Sequence, residues 1–281
     1  MAADHKIAAH YTSGTLLQRL NAELASDGAN PAHPTMEALA PYDQFHGRGL
    51  EATEEVAGLL ASRSLVSASQ RLLDIGSGIG GPARYMAKRF GCRVTGIDLT
   101  AEFCDAARHL TQLLGLEAKV DFQQGDALKM PFPDGSFDGG FSMNVSMNIA
   151  DKQSLYREIA RVLKPGGWLM LSELAKGPGA PMDYPTPWAA TANESFLATP
   201  DETRTGLEAC GFEVLEFRDA TEAVKAYGAK SKAAIERGEK MPHRAVQLIH
   251  GVNAMEAMRN SSRGVGEGRL VPIEVLARRK A

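Results

Sequence analysis

Cysteine is scarce in this chain. Cys92, Cys104 and Cys210 are an odd, widely spaced set in 281 residues, which argues against a disulfide framework or a zinc site. They read as reduced thiols of a cytoplasmic protein, and no metal is expected. No apolar run is long enough to span a bilayer. The opening Met1-Ala-Ala-Asp-His-Lys lacks the charged-then-apolar build of a secretion signal. An excess of one charge is missing too. With 31 basic and 34 acidic residues the net charge is −3, which gives no hint of nucleic acid or an anionic membrane as a partner. Repeats and low-complexity tracts are also absent. What remains is 44% hydrophobic and 23% charged, the composition of a globular chain long enough for one large core or a core plus a cap.

The densest signal is Arg71-Leu-Leu-Asp74-Ile-Gly76-Ser77-Gly78-Ile-Gly80-Gly81-Pro82. A short apolar run ends in an acid, then a glycine turn, then a proline suited to a first helical turn. Such a turn lets backbone approach a nucleotide-like ligand and aims helix-start N–H groups at it. Around it the pattern alternates. Leu72 to Ile75, Arg93 to Asp98, Lys119 to Gln123, Phe137 to Met143 and Trp168 to Leu174 read as strands. Helices fall between them, one over Pro82–Phe90 and one with Phe103, Ala107, Leu110 and Leu114 on a single face. Alternation of this kind predicts an α/β fold with a doubly wound, mostly parallel sheet, its ligand at the carboxyl ends of the strands.

Six segments are expected. Residues 1–66 form a helical lid, 67–175 the cofactor-binding core, and 176–198 a mobile loop rich in proline and glycine. Residues 199–219 return a helix and strand to the core. Residues 220–267 insert a helical cap, and 268–281 supply the last strand.

The glycine turn alone fits both a dinucleotide site and an S-adenosylmethionine (SAM) site. Asp98, 22 positions after Gly76, can accept the hydroxyls of either ribose. Asp74 favours SAM, because a carboxylate there would repel a pyrophosphate yet suits an ammonium. An acid at Asp126, after the third strand, can accept from an adenine amino group.

Taken in order, Leu-Asp74-Ile-Gly-Ser-Gly-Ile-Gly80, Gly-Ile-Asp98-Leu99, Gly-Asp126-Ala127, Phe-Pro-Asp-Gly-Ser-Phe-Asp138 and Leu-Lys-Pro-Gly-Gly167 resemble class I SAM-dependent methyltransferases over residues 70 to about 175. The resemblance implies SAM as cofactor and a seven-stranded sheet with its last strand antiparallel. It assigns Asp74, Gly76, Ser77, Gly78 and Gly80 to the methionine end and Asp98 and Leu99 to the ribose and adenine face. Asp126 and Ala127 go to adenine, and Asn144 to the floor beneath the sulfonium.

Two further regions bear on the acceptor. Pro41–Glu54 and Ser142–Ile149 resemble sarcosine/dimethylglycine N-methyltransferases, with arginine at Arg48 where small residues are expected. Tyr42 and Gln44 are candidates to fold over the cofactor, and His46 is the candidate proton acceptor, since free histidine titrates near neutrality. The resemblance implies methyl transfer to a small amine or N-methyl amino acid; a small-molecule O- or C-methyltransferase is the alternative. An amino-acid acceptor needs a cation for its carboxylate, with Arg48, Arg259, Arg263 and Arg269 available and Arg259 the first choice. Met143, Tyr184 and Trp188 complete the expected acceptor wall, the last two through cation–π contact. His109 falls on a polar helix face and reads as solvated. Monomer and homodimer both stay open.

Overall fold

The structure is a computed structural model that describes residues 11–281, so the first ten residues of the expected lid lie outside it. Among the described residues, three helices precede the sheet: α1 (Leu16–Ser26), α2 (Met36–Asp43) and α3 (Leu50–Ser62). α1 buries Leu16, Leu20 and Leu24, one face at a four-residue spacing. Thr35 caps α2 by accepting from the Ala38 N–H.

The core then alternates as β1 (Arg71–Ile75), α4 (Gly81–Phe90), β2 (Arg93–Asp98), α5 (Ala101–Leu113), β3 (Val120–Gln124), β4 (Phe137–Met143), α6 (Lys152–Val162) and β5 (Leu163–Lys176). After an irregular segment come α7 (Pro200–Ala209), β6 (Phe212–Asp219), the cap helices α8 (Thr221–Glu236), α9 (Ala245–His250) and α10 (Ala254–Gly266), and finally β7 (Leu270–Arg279). The seven strands lie in the order β3-β2-β1-β4-β5-β7-β6. β7 runs antiparallel to both neighbours, and the other pairs are parallel. The expected sheet is therefore the observed one.

Central strands are covered on both faces and read as continuous apolar runs: Leu72, Leu73 and Ile75 are fully buried. Trp168 lies across β4 because its partner in register is Gly139, where a Cβ would sit 2.0 Å from the indole. Trp168 Nε1 then donates to the Leu65 carbonyl at 3.0 Å, tying β5 to the segment leading into β1.

Chain order reverses between β1 and β4. A crevice therefore opens beyond their carboxyl ends, next to the ends of β2 and β5. The irregular segment after β5 is anchored: Trp188 is buried and donates to Ser195 Oγ at 2.9 Å, and Asp183 accepts from Arg263 and Arg269.

Candidate active site and cofactor cradle

The turn after β1 is fastened to β2, since the N–H groups of Gly76 and Ser77 both donate to the Ile97 carbonyl, at 2.8 and 3.0 Å. Gly76 has φ +70°, and a Cβ there would lie 2.3 Å from Val145. Both the left-handed backbone and the approach of the β4 loop thus require glycine. Gly80 serves a different purpose. It has φ +84°, caps α4, and leaves room for the Phe122 ring, 2.3 Å from where its Cβ would be. Gly76 and Gly78 line the cavity; Gly80 stands behind it.

Asp98 closes β2 on the cavity wall and accepts from the N–H of Gly78 at 2.8 Å and of Thr100 at 2.9 Å. Burial raises its pKa, while these donors oppose the rise. Asp74, one strand over, is buried behind the glycine turn. Burial, and then the charge of Asp98, push its pKa well above the carboxylate range. Its Oδ2 has no hydrogen-bond partner, and neither has the nearby Ser77 Oγ. Buried polar atoms are seldom left unpaired, so these two are free to receive a partner, although neither residue lines the cavity itself. An ammonium suits the acid, and a pyrophosphate does not. Asp126, Leu99 and Ala127 line the same cavity, with Asp126 Oδ1 accepting from Leu128 N–H at 2.8 Å. Asn144 follows β4 with φ +58°, and its Oδ1 accepts from Gly47 N–H at 3.1 Å. These donors and acceptors fit an adenosyl amino acid.

The segment before α3 folds over this cradle, but not all of it faces inward. Tyr42 is buried outside the cavity, where its hydroxyl donates to Asp27 at 2.7 Å and accepts from Arg244 at 3.0 Å. Gln44 is also behind the wall, donating to Asp43 at 2.8 Å and accepting from Thr53 at 2.7 Å. Both hold the scaffold of the segment. His46 does reach the cavity wall. Its ring is buried, with Nδ1 3.1 Å from the Gly47 carbonyl and Nε2 3.1 Å from Thr53 Oγ1. Burial pushes its pKa down to about 3, so the near-neutral value that suggested a proton acceptor does not apply. The carbonyl can only accept, so Nδ1 carries the proton of the neutral ring. His243, from the cap, is placed similarly. Its Nε2 donates to the Gln44 carbonyl at 2.7 Å, and burial keeps the ring neutral.

Three features escaped the sequence reading. Glu173, near the end of β5, accepts from Ser142 Oγ, Val145 N–H, Ser146 N–H and Ser146 Oγ, all at 3.0–3.2 Å. It shapes the loop that carries Asn144. An acid at the carboxyl end of a parallel strand is the signal that could have found it. Tyr11 reaches the cavity from the N-terminal side, its hydroxyl 3.4 Å from Asn148 Oδ1. Arg84 is fully buried and pairs with Asp43 at 2.9 Å. An arginine inside an otherwise ordinary amphipathic helix gives no local sign of that.

The cavity has a volume of about 1190 Å³. Small-molecule sites usually span roughly 300–1,000 Å³, so there is room for a cofactor with a second molecule beside it. Met143, Trp188 and Arg259 line it. Tyr184 does not; it packs behind Trp188, beside Arg259 and Arg263 in a separate surface pocket. Of the four candidate arginines, Arg48 is taken by Glu274 and Glu55, at 3.0 and 2.8 Å. Arg263 and Arg269 share Asp183. Among the described residues, Arg259 has no carboxylate partner. The same residues contain no cluster of three or more metal-ligating side chains and no helix long and apolar enough to cross a membrane.

A mostly parallel sheet with a nucleoside-type cradle at its switch point defines a Rossmann-like, nucleoside-cofactor fold. Residues 73–171 match the family described as a methyltransferase domain. The chain is 31% identical over 182 residues to methyltransferase GfsG of Streptomyces halstedii, covering 63% of this chain and 65% of that one. It is 29% identical over 171 residues to a glycine/sarcosine/dimethylglycine N-methyltransferase of Actinopolyspora halophila, covering 61% and 30%. This chain thus spans less than two thirds of the length of either relative. Its fold is similar to that of geranyl diphosphate C-methyltransferase from Streptomyces coelicolor A3(2), solved with S-adenosyl-L-homocysteine. The TM-score is 0.66 at 18% identity, over 99% of this chain and 98% of that one. Residues 73–171 thus form a methyltransferase domain similar to the class I SAM-dependent methyltransferases, with SAM as the cofactor.

Proposed function

We propose that this chain transfers a methyl group from SAM to a small-molecule acceptor. The observation that carries the reading is the unpartnered pair, Asp74 Oδ2 and Ser77 Oγ, buried behind a glycine turn that abuts Asp98. In this reading Asp74, Gly76, Ser77 and Gly78 hold the methionine end. Asp98 and Leu99 take the ribose side, Asp126 and Ala127 the adenine, and Asn144 the region beneath the sulfonium. SAM, when bound, supplies a methyl group already activated by positive sulfur.

The protein's own contribution is alignment and exclusion of water, and alignment can lower a barrier by ~7–11 kcal/mol. The Gly47–Asn144 hydrogen bond closes the N-terminal segment onto the β4 loop, and Glu173 fixes that loop from below. Phe45, Val145 and Trp188 keep the space between them apolar. His46 acts by position: its ring, neutral and buried, ties the segment to α3 through Thr53.

For the acceptor, the geometry favours a molecule without a carboxylate to pair, because three of the four candidate arginines already have acidic partners. The N-methyl amino acid that the sequence put first becomes the second reading. It is supported by the placement of Arg259 on the cavity wall and by the resemblance to the Actinopolyspora enzyme. Calorimetry with SAM and with NAD tests the cofactor; tighter binding of NAD would overturn the reading. Transfer from labelled SAM to a panel of small amines and of hydroxylated apolar acceptors, read by mass spectrometry, tests the chemistry.

A further inference from the structure

The cavity is far more apolar than a site for a free amino acid needs to be. Its outer half is built by the cap: Val224, Ile235, Met241, Val246, Ile249 and Met258 face it from α8, α9, α10 and their connections. Five of the chain's 11 methionines, Met143, Met147, Met241, Met255 and Met258, line the one cavity. Methionine is unbranched and polarizable, so such a wall adapts to irregular apolar shapes. Two of the three large hydrophobic side chains exposed among the described residues, Ile235 at 51% and Met255 at 53%, also line this cavity. Apolar side chains left in water at the rim of an apolar cavity mark the path of an apolar ligand. Two of the buried carboxylates on the wall are already used, Glu274 by Arg48 and Arg218 and Glu173 by four donors, while Arg259 has no carboxylate partner among the described residues. A small zwitterion could pair its carboxylate with Arg259 but would leave most of this apolar wall uncovered, whereas an apolar body would cover it.

We infer that the cap forms an acceptor site for a bulky, predominantly apolar molecule, entering past Ile235 and Met255 with its reacting polar group toward Asn144. This rests on the methyl-transfer reading above and specifies the substrate class for it.

The test uses the full chain with a saturating amount of S-adenosyl-L-homocysteine and titrates the neutral apolar fluorophore N-phenyl-1-naphthylamine. Saturable binding of one probe per chain is expected. Met258→Trp, which fills the cavity, should weaken it at least tenfold. Met255→Glu, at an exposed position with little bearing on folding, should weaken it at least threefold by charging the entrance. SAM affinity, measured by calorimetry on ligand-free protein from the same preparations, should stay within twofold in both variants. Absence of saturable probe binding, or binding indifferent to both substitutions, overturns the inference. So does transfer to sarcosine or dimethylglycine at a rate that Met258→Trp leaves unaltered. If wild-type protein fails to bind SAM, the methyl-transfer reading fails instead, and the two failures are told apart by the calorimetry.

Discussion

Asp98 gathers two backbone donors into a carboxylate on the cavity wall, and a ribose hydroxyl would add a third partner. Asp98→Ala is expected to weaken SAM binding by about 1.5–3 kcal/mol, roughly 10- to 160-fold, the range for hydrogen bonds to a charged group. Calorimetry decides it, and unchanged affinity would remove Asp98 from the site. Asp74 makes a prediction about pH. Its pKa in the folded protein is raised above the unfolded value of ~3.9. Below that value both states are protonated and its contribution to stability is fully present. As pH climbs through the raised pKa, the folded protein must ionise a buried carboxyl and the contribution is lost. Ligand-free wild-type protein should therefore lose stability relative to Asp74→Asn as pH rises from about 4. Urea titrations of both proteins across pH would show it; parallel pH profiles would refute the shift. Asp74 and Asp98 stand at the ends of β1 and β2 and Asp126 two residues past β3, positions that the order of strands alone predicts. Tyr42, Gln44 and Tyr184 were misplaced for the opposite reason. They lie in irregular segments, where one residue of rotation moves a side chain from cavity to scaffold.

Among the elements, α2 and α4 depend on each other through Asp43 and Arg84, both buried. Breaking a buried pair from one side strands the other charge, so Arg84→Met should cost about 3–5 kcal/mol of stability. The paired change Asp43→Leu with Arg84→Met should cost less than the single one, because no unpaired charge remains. Chemical denaturation of the three proteins checks this, and a single-variant loss below ~1 kcal/mol would mean the pair is dispensable. The sequence pattern located α4 and placed α2 only within a helical lid, and neither helix alone announces a partner. The ion pair joins residues 41 positions apart and exists only once the helices pack. The same holds for the anchored segment after β5. Its prolines and glycines suggest a mobile loop, while Trp188, Ser195 and Asp183 tie it down through side-chain contacts.

At the scale of the whole molecule, the cradle draws on several separate parts of the chain, so ligand binding should stabilise the fold as a unit. At 100 times its Kd, SAM is expected to add about 2.7 kcal/mol by mass action. For a domain of this size that corresponds to a rise in Tm of ~5–10 °C. Differential scanning fluorimetry reads it directly, and a flat Tm at such concentrations would count against a SAM site. The alternation of apolar runs with helical faces, and the acids and glycines at strand ends, determined the sheet, its order of elements and the location of the cofactor turn. These are local features, set by periodicity and by backbone conformations that few residues can adopt. Tertiary structure alone decided which arginines are occupied, that His46 is buried and neutral, and that α8, α9 and α10 enclose an apolar volume beside the cradle. Each of those depends on burial and on partners far apart in the chain, and desolvation and pairing are properties of the packed molecule.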